Sequence, residues 1–170
     1  MANTYVLIAS TTGSGNPNSI SFNSIPSTYN DLLLVASVRN TGTTGNLRMT
    51  FNNDTNTLYS QVVLQGNGTS VSSSRNGTIA NTQWNNTSNI SSDTANTYAS
   101  LEMYIPNYLG LVNKPWSGDF ATETNASLAY RTTTASLYRG TTALTSLQLY
   151  YFNFGFDTNS SFYLYGIKRT

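Results

Sequence analysis

The sequence predicts an all-β protein, an antiparallel two-sheet sandwich of jelly-roll-like type with about eight to ten strands. Three observations carry that reading. Aromatic residues make up 12% of the chain and include twelve Tyr, while Thr is abundant, and both types favour extended backbone. Short alternating segments recur, separated by Asn, Gly, Ser and Pro, the residues of turns. No segment repeats apolar residues with the period of a helix.

The segments follow in order. Tyr5 to Ser10 opens the strand series, and Ser19 to Phe22 follows with Ile20 and Phe22 on one face. Asp31 to Arg39 is the strongest strand. Its first set, Leu32, Leu34, Ala36 and Val38, is wholly apolar. Its second, Leu33, Val35, Ser37 and Arg39, begins apolar and ends polar, as for a central strand covered on both faces over half its length. Pro26 and Asn30 supply the preceding turn. Asn46 to Phe51 alternates, with Leu47, Met49 and Phe51 inward. Tyr59 to Gln65 comes next, after the turn-rich NNDTNT. Tyr98 to Ile105 sets Leu101, Met103 and Ile105 on one face. Trp116 to Thr124, Ser127 to Arg139, Leu144 to Phe152 and Phe162 to Ile167 complete the strands. One sandwich domain spans 1–170, interrupted at about 66–97 by a long polar loop with a weak hairpin at Arg75 to Trp84. A chain of this length buries roughly 70% of its unfolded surface, enough for a core without staples.

Composition narrows the chemistry. There is no Cys and no His, so thiol chemistry, disulfides and the commonest general base are excluded. Asn, Ser and Thr together form roughly two-fifths of the chain, while charged residues are only 9% and the net charge is +1. That balance gives no reason to expect nucleic acid or an anionic membrane as partner. The amino terminus, MANTYVLIAS, lacks the basic region and apolar length of a signal peptide, which points to a protein made in a cytoplasm. The sequons at Asn67, Asn76 and Asn125 are what such a composition supplies by chance.

Carboxylate-pair catalysis is the one enzyme reading left. The acids are Asp31, Asp54, Asp93, Glu102, Asp119, Glu123 and Asp157. Asp119 and Glu123 share a face of one strand, at the far end of the spacing that sugar hydrolysis uses or beyond it. Solvated side chains on a polar face account for them more simply. Asp54 and Asp157 sit in turn contexts, and no calcium-loop or phosphate-loop spacing occurs, so no metal and no cofactor is expected. Aromatics cluster near the end of the chain, and alternation turns half of them away from the core. Tyr150, Phe152, Phe154 and Phe156, together with Trp84 in the polar loop and Trp116, form the candidate interface. Trp84 reads as an interface anchor or as a plug over the open end of the sandwich.

Two segments carry a resemblance. YVLIAST followed by SISFNSIPSTYNDLLLVASVRN, with its IP-x-x-Y-x-DLLL core, and the terminal LYGIKRT are similar to small structural proteins of tailed phages, marine and cyanobacterial ones above all. LQGNGTS, IPNYLG and LTSLQLY fit the same pattern, and the middle loop fits it least. The resemblance implies a non-enzymatic virion protein. Within that class, strand signal filling a chain without a separate anchor or coiled coil favours capsid decoration, by attachment to the major capsid protein or other virion proteins as a homotrimer. The alternative is a tail-fibre or tail-tip receptor-binding module that stacks host glycans on Trp84 or Trp116.

Overall fold

A computed structural model describes residues 4–126 and 128–168. Twelve strands follow one another: β1 (Tyr5–Thr12), β2 (Ser19–Phe22), β3 (Asp31–Val38), β4 (Leu47–Phe51), β5 (Tyr59–Gly66), β6 (Val71–Ile79), β7 (Thr82–Trp84), β8 (Ala99–Ile105), β9 (Lys114–Glu123), β10 (Ala129–Tyr138), β11 (Leu147–Tyr150) and β12 (Ser161–Ile167). Among the described residues there is no helix. All strands pair antiparallel, in an eight-stranded sheet of order β1-β12-β3-β8-β9-β10-β5-β6 and a four-stranded sheet of order β2-β11-β4-β7.

The order identifies the topology. Set aside the hairpins β5–β6 and β9–β10. The remaining strands form two facing four-stranded sheets, β1-β12-β3-β8 and β2-β11-β4-β7, in which β1 through β4 alternate between sheets and β11 and β12 return beside β2 and β1. That is jelly-roll connectivity. The two extra hairpins extend the larger sheet beyond β8, which raises the strand count above the eight to ten expected.

The core lies between the sheets. β3, β8 and β12 contribute Leu32, Leu34, Met103, Ile105, Phe162 and Leu164 from one side. β4, β11 and β2 contribute Leu47, Met49, Phe51, Leu149 and Phe22 from the other. β3 holds the predicted central position, between β12 and β8, but its second face is not covered by another layer. Leu33 and Val35 are half-buried there by cross-strand neighbours, with Tyr165 and Tyr104 flanking Leu33 and Tyr163 flanking Val35. Tyrosine rings can crowd a β-branched or Leu neighbour across a ladder, so a strand on an open face reads as doubly covered.

The segment 66–97 departs from expectation. No hairpin joins Arg75 to Trp84. β6 pairs with β5 at the edge of the large sheet, and β7 pairs with β4 at the edge of the small one. A polar strand such as SSSRNG can join a ladder because main-chain groups make the pairing. The remainder, 85–98, is tied down by Arg39. Its guanidinium donates to the carbonyls of Thr94, Thr97 and Asp93 at 2.9, 3.0 and 2.9 Å and to the Thr97 hydroxyl at 3.1 Å. Five donors in a planar fork suit a guanidinium to a ring of carbonyls. The expected strand over Leu144 to Phe152 is shorter, Leu147–Tyr150. Ser127, the expected start of another strand, lies outside the described residues.

Candidate interaction face and adjoining clefts

The two sheets turn different chemistry outward. On the four-stranded sheet the outward positions carry Ser19 and Ser21, Gln148 and Tyr150, Arg48, and Gln83 in successive strands. On the eight-stranded sheet one row runs Leu7, Tyr165, Leu33, Tyr104, Ser117, Ala135 and Val62 from β1 to β5, each residue directly opposite the next. The neighbouring row runs Tyr163, Val35, Glu102, Asp119, Thr133 and Leu64. Tyr5, Leu7, Val62, Leu64, Val71, Tyr104 and Tyr163 on this face are 36% to 73% exposed. Isolated exposed apolar side chains are ordinary, but a contiguous field of them on one face is not.

Within this face β9, β10 and β5 carry small side chains, Ser117, Ala135 and Ser60, in adjoining positions. They lie along a trough of about 480 Å³, bordered by Val62, Leu137, Pro115 and Tyr104, with Arg75 at its rim. Tyr104 is fixed, because its hydroxyl donates to Asp31 at 2.8 Å. The loop after β8 contributes Pro106 to the trough's lining and presents Leu111, 78% exposed.

Charges on the face are few. Asp119 accepts from Arg131 at 2.9 Å, an exposed pair that is worth under ~1 kcal/mol. Glu102 lies directly opposite Asp119, with exposed carboxylates of like sign on adjacent strands.

The predicted interface residues divide. Trp84, Trp116 and Phe156 are buried, so they are corrected from interface to core. Trp84 stands edge-on to Trp116 with ring centroids 5.3 Å apart and packs on Phe120 at 5.0 Å. Its place on β7, opposite Leu47, turns it into the sandwich rather than over its mouth. Phe156 packs on Tyr151 and Phe162 at 4.6 and 4.9 Å. Tyr150 and Phe154 are half-buried, and Phe152 is exposed beneath the Arg48 guanidinium, 5.1 Å from its ring centroid. None of the six lies on the apolar face of the large sheet. Sequence reading missed Val62, Leu64, Tyr104, Pro115 and Leu137. The signal was present in β5, where Val62 and Leu64 share one face while Gln61 and Gln65 lie on the other, but the sequence reading assigned no faces to that strand.

The carboxylates are engaged locally. Asp31 is buried and accepts from the Asn107 amide at 2.8 Å as well as from Tyr104. Asp93 accepts from the Ile90 amide at 2.8 Å, and Asp157 from the Tyr98 hydroxyl at 2.6 Å. Glu123 bends to the Asn125 amide at 3.0 Å while Asp119 turns to Arg131, so the two share a strand face without facing a common cleft. Among the described residues no three His, Cys, Asp or Glu side chains are grouped to hold a metal ion. Lys114 is buried with its ammonium on the Val112 carbonyl, and burial lowers its pKa from the ordinary lysine range.

No protein-family model, curated protein or solved structure matches the chain.

Proposed function

We propose that the protein is a non-enzymatic virion structural component of the capsid-decoration kind, docking on the assembled shell through the outer face of its eight-stranded sheet. The observation that carries this reading is the asymmetry of the two outer faces, one polar and one an aromatic and aliphatic field with a trough. Tyr-rich, charge-poor surface is what the centre of an interface contains. Among the described residues Asp119 is in an ion pair and Glu102 is not, so a partner bearing a basic side chain there gains a charge contact on docking. Binding only the assembled shell would stabilise it by mass action. The resemblance of the YVLIAST, IPSTYNDLLLVASVRN and LYGIKRT segments to phage structural proteins supplies the class of partner. The rival receptor-binding reading loses Trp84 and Trp116 as glycan platforms, since both are core residues.

Two measurements test the proposal. Labelled chain imaged on intact particles is expected over the whole shell, and label confined to the tail or absent from particles overturns the reading. A Val62→Lys, Leu64→Lys double variant is expected to melt near the parent temperature yet fail to bind shells stripped of the protein. Undiminished binding overturns the assignment of the face.

A further inference from the structure

The β5–β6 hairpin reaches past the edge of the four-stranded sheet and, with that edge, forms a cleft of about 540 Å³. Gln61 closes its floor. Its side-chain amide accepts from the Gln83 main-chain N–H at 3.1 Å and donates to the Gln83 carbonyl at 2.5 Å, as a neighbouring strand would. Gln65 donates to the Asn85 carbonyl at 2.9 Å and accepts from the Asn86 side-chain amide at 3.3 Å. The edge of β7 is therefore already paired, which leaves other groups in the cleft free for a ligand.

Those groups have one chemical character. Ser72, Ser74 and Asn76 point into the cleft from β6, since they lie opposite Gln65, Val63 and Gln61 on β5. Alternate residues repeat about every 6.8 Å along a strand, so the three form a row of uncharged donors and acceptors. Asn81 adds another amide from the turn before β7. Arg48 is the single charged lining residue. Its Nε is buried without an acceptor. Its guanidinium rests on Phe152, Tyr150 stands opposite it across the ladder, and among the described residues the ion pair formed is Arg131–Asp119, so Arg48 has no counter-ion.

We propose that this cleft binds an acidic oligosaccharide, with sugar hydroxyls on Ser72, Ser74, Asn76 and Asn81 and a carboxylate or sulfate on Arg48. Neutral amides and hydroxyls match sugar hydroxyls in both donor and acceptor roles. A guanidinium pre-set on an aromatic ring offers a planar fork to an anion. One cation does not track a phosphate backbone, and the polar lining does not suit an apolar ligand. The site lies on the opposite side of the β5–β6 hairpin from the docking face, so it stands independently of the decoration reading.

Calorimetric titration of the full chain tests it with three probes: trigalacturonate, a sulfated trisaccharide and neutral maltotriose. At least one anionic probe is expected to bind, and whichever binds tighter distinguishes carboxylate from sulfate. Arg48→Gln is expected to weaken that binding about tenfold or more, the loss of one charge-assisted contact. Because Arg48 also holds Phe152, Ser74→Phe provides a second test, filling the cleft from an exposed edge strand and abolishing binding at an unchanged melting temperature. Binding of none of the three, maltotriose binding as tightly as the anions, or affinity indifferent to either variant overturns the proposal.

Discussion

Trp84→Ala separates the two roles that a Trp in a polar segment can have. Full burial of a Trp removes about 150–250 Å² from water, worth about 4–6 kcal/mol at 25 cal/mol/Å². Measured truncations of buried Phe and Trp cost about 3–5 kcal/mol. The edge-on contact with Trp116 and the contact with Phe120 are lost too. Against this, Trp84 Nε1 is buried without a protein acceptor, and removing an unpaired donor returns about 1–3 kcal/mol. The expected net cost is therefore about 2–3 kcal/mol, a substantial part of the 5–15 kcal/mol that holds a domain together. Trp84→Phe keeps most of the area and removes the orphan donor, so it is expected within about 1 kcal/mol of the parent. Phe152→Ala, 64% exposed in the parent, loses little beyond its contact with Arg48 and is expected to cost under about 1 kcal/mol. Urea unfolding followed by tryptophan fluorescence, which Trp116 still supplies when Trp84 is replaced, measures all three. A Trp84→Ala cost below 1 kcal/mol, or equal costs for Trp84→Ala and Phe152→Ala, would refute the assignment of Trp84 to the core.

Two further substitutions probe the polar interior and a close backbone approach. Burial alone would raise the Asp54 carboxyl, but the Tyr138 hydroxyl at 2.7 Å and the Asn56 main-chain and side-chain amides at 2.8 Å outweigh it and hold its pKa below the ordinary value. A depressed carboxyl contributes stability that is complete above its unfolded pKa near ~4 and fades as pH falls through the folded value. Tyr138→Phe is therefore expected to cost about 1–2 kcal/mol at neutral pH, with the gap closing in melts below about pH 4; a gap independent of pH contradicts the linkage. Burial, and for Tyr138 the Asp54 carboxylate, raises Tyr59 and Tyr138, and a raised group contributes stability that is lost above its unfolded value near ~10. The parent should accordingly destabilise above about pH 10 more steeply than Tyr138→Phe. At Gly13 an added Cβ would stand 1.9 Å from the Asp157 carbonyl oxygen, a backbone atom that no rotamer change can move. Gly13→Ala is expected to cost about 2 kcal/mol or more, while Gly77→Ala, with nothing within 4 Å, stays within about 0.5 kcal/mol; equal effects in thermal melts would contradict the close approach.

How much was legible in the sequence depended on whether neighbours alter the meaning of alternation. β3, β4 and β8 were readable because one residue set in each is apolar and meets the facing sheet. β5 was located, but its faces were not assigned. Its inward Gln61 and Gln65 serve the bare edge of β7, a demand created by a strand some twenty residues later, at Gln83 and Asn85. β6 had no apolar signal because it is an edge strand held by main-chain pairing. Trp84 was misread because its flanks, Thr82 to Asn86, are polar and the strand is only three residues long, too short for a period to show. Strand order was never in the spacing. The jelly roll is recovered only once β5–β6 and β9–β10 are seen to join the sheet rather than interrupt it.

The unusual composition has a structural cause that bears on function. Nine described residues other than Gly adopt positive φ, and eight are Asn: Asn16, Asn52, Asn53, Asn86, Asn96, Asn107, Asn125 and Asn153. Asn tolerates the left-handed region better than other side-chain-bearing residues and can bond the neighbouring backbone. Asn52 does so across two loops, accepting from the amides of Thr145 and Ser146 and donating to the Ala143 carbonyl. Asn67 organises the β5–β6 turn by accepting from the Thr69 and Ser70 amides. Turns built on amides rather than on charged residues leave the surface with little electrostatic repulsion. A chain with net charge +1 and an aromatic sheet face therefore has weak general protection against association. Such a face is tolerable in a protein whose working state has that face covered, which is the state the decoration reading supplies. The polar cleft on the far side of the β5–β6 hairpin would remain open to solvent in that state, so one small sandwich can dock with one sheet and bind a second ligand beside the other.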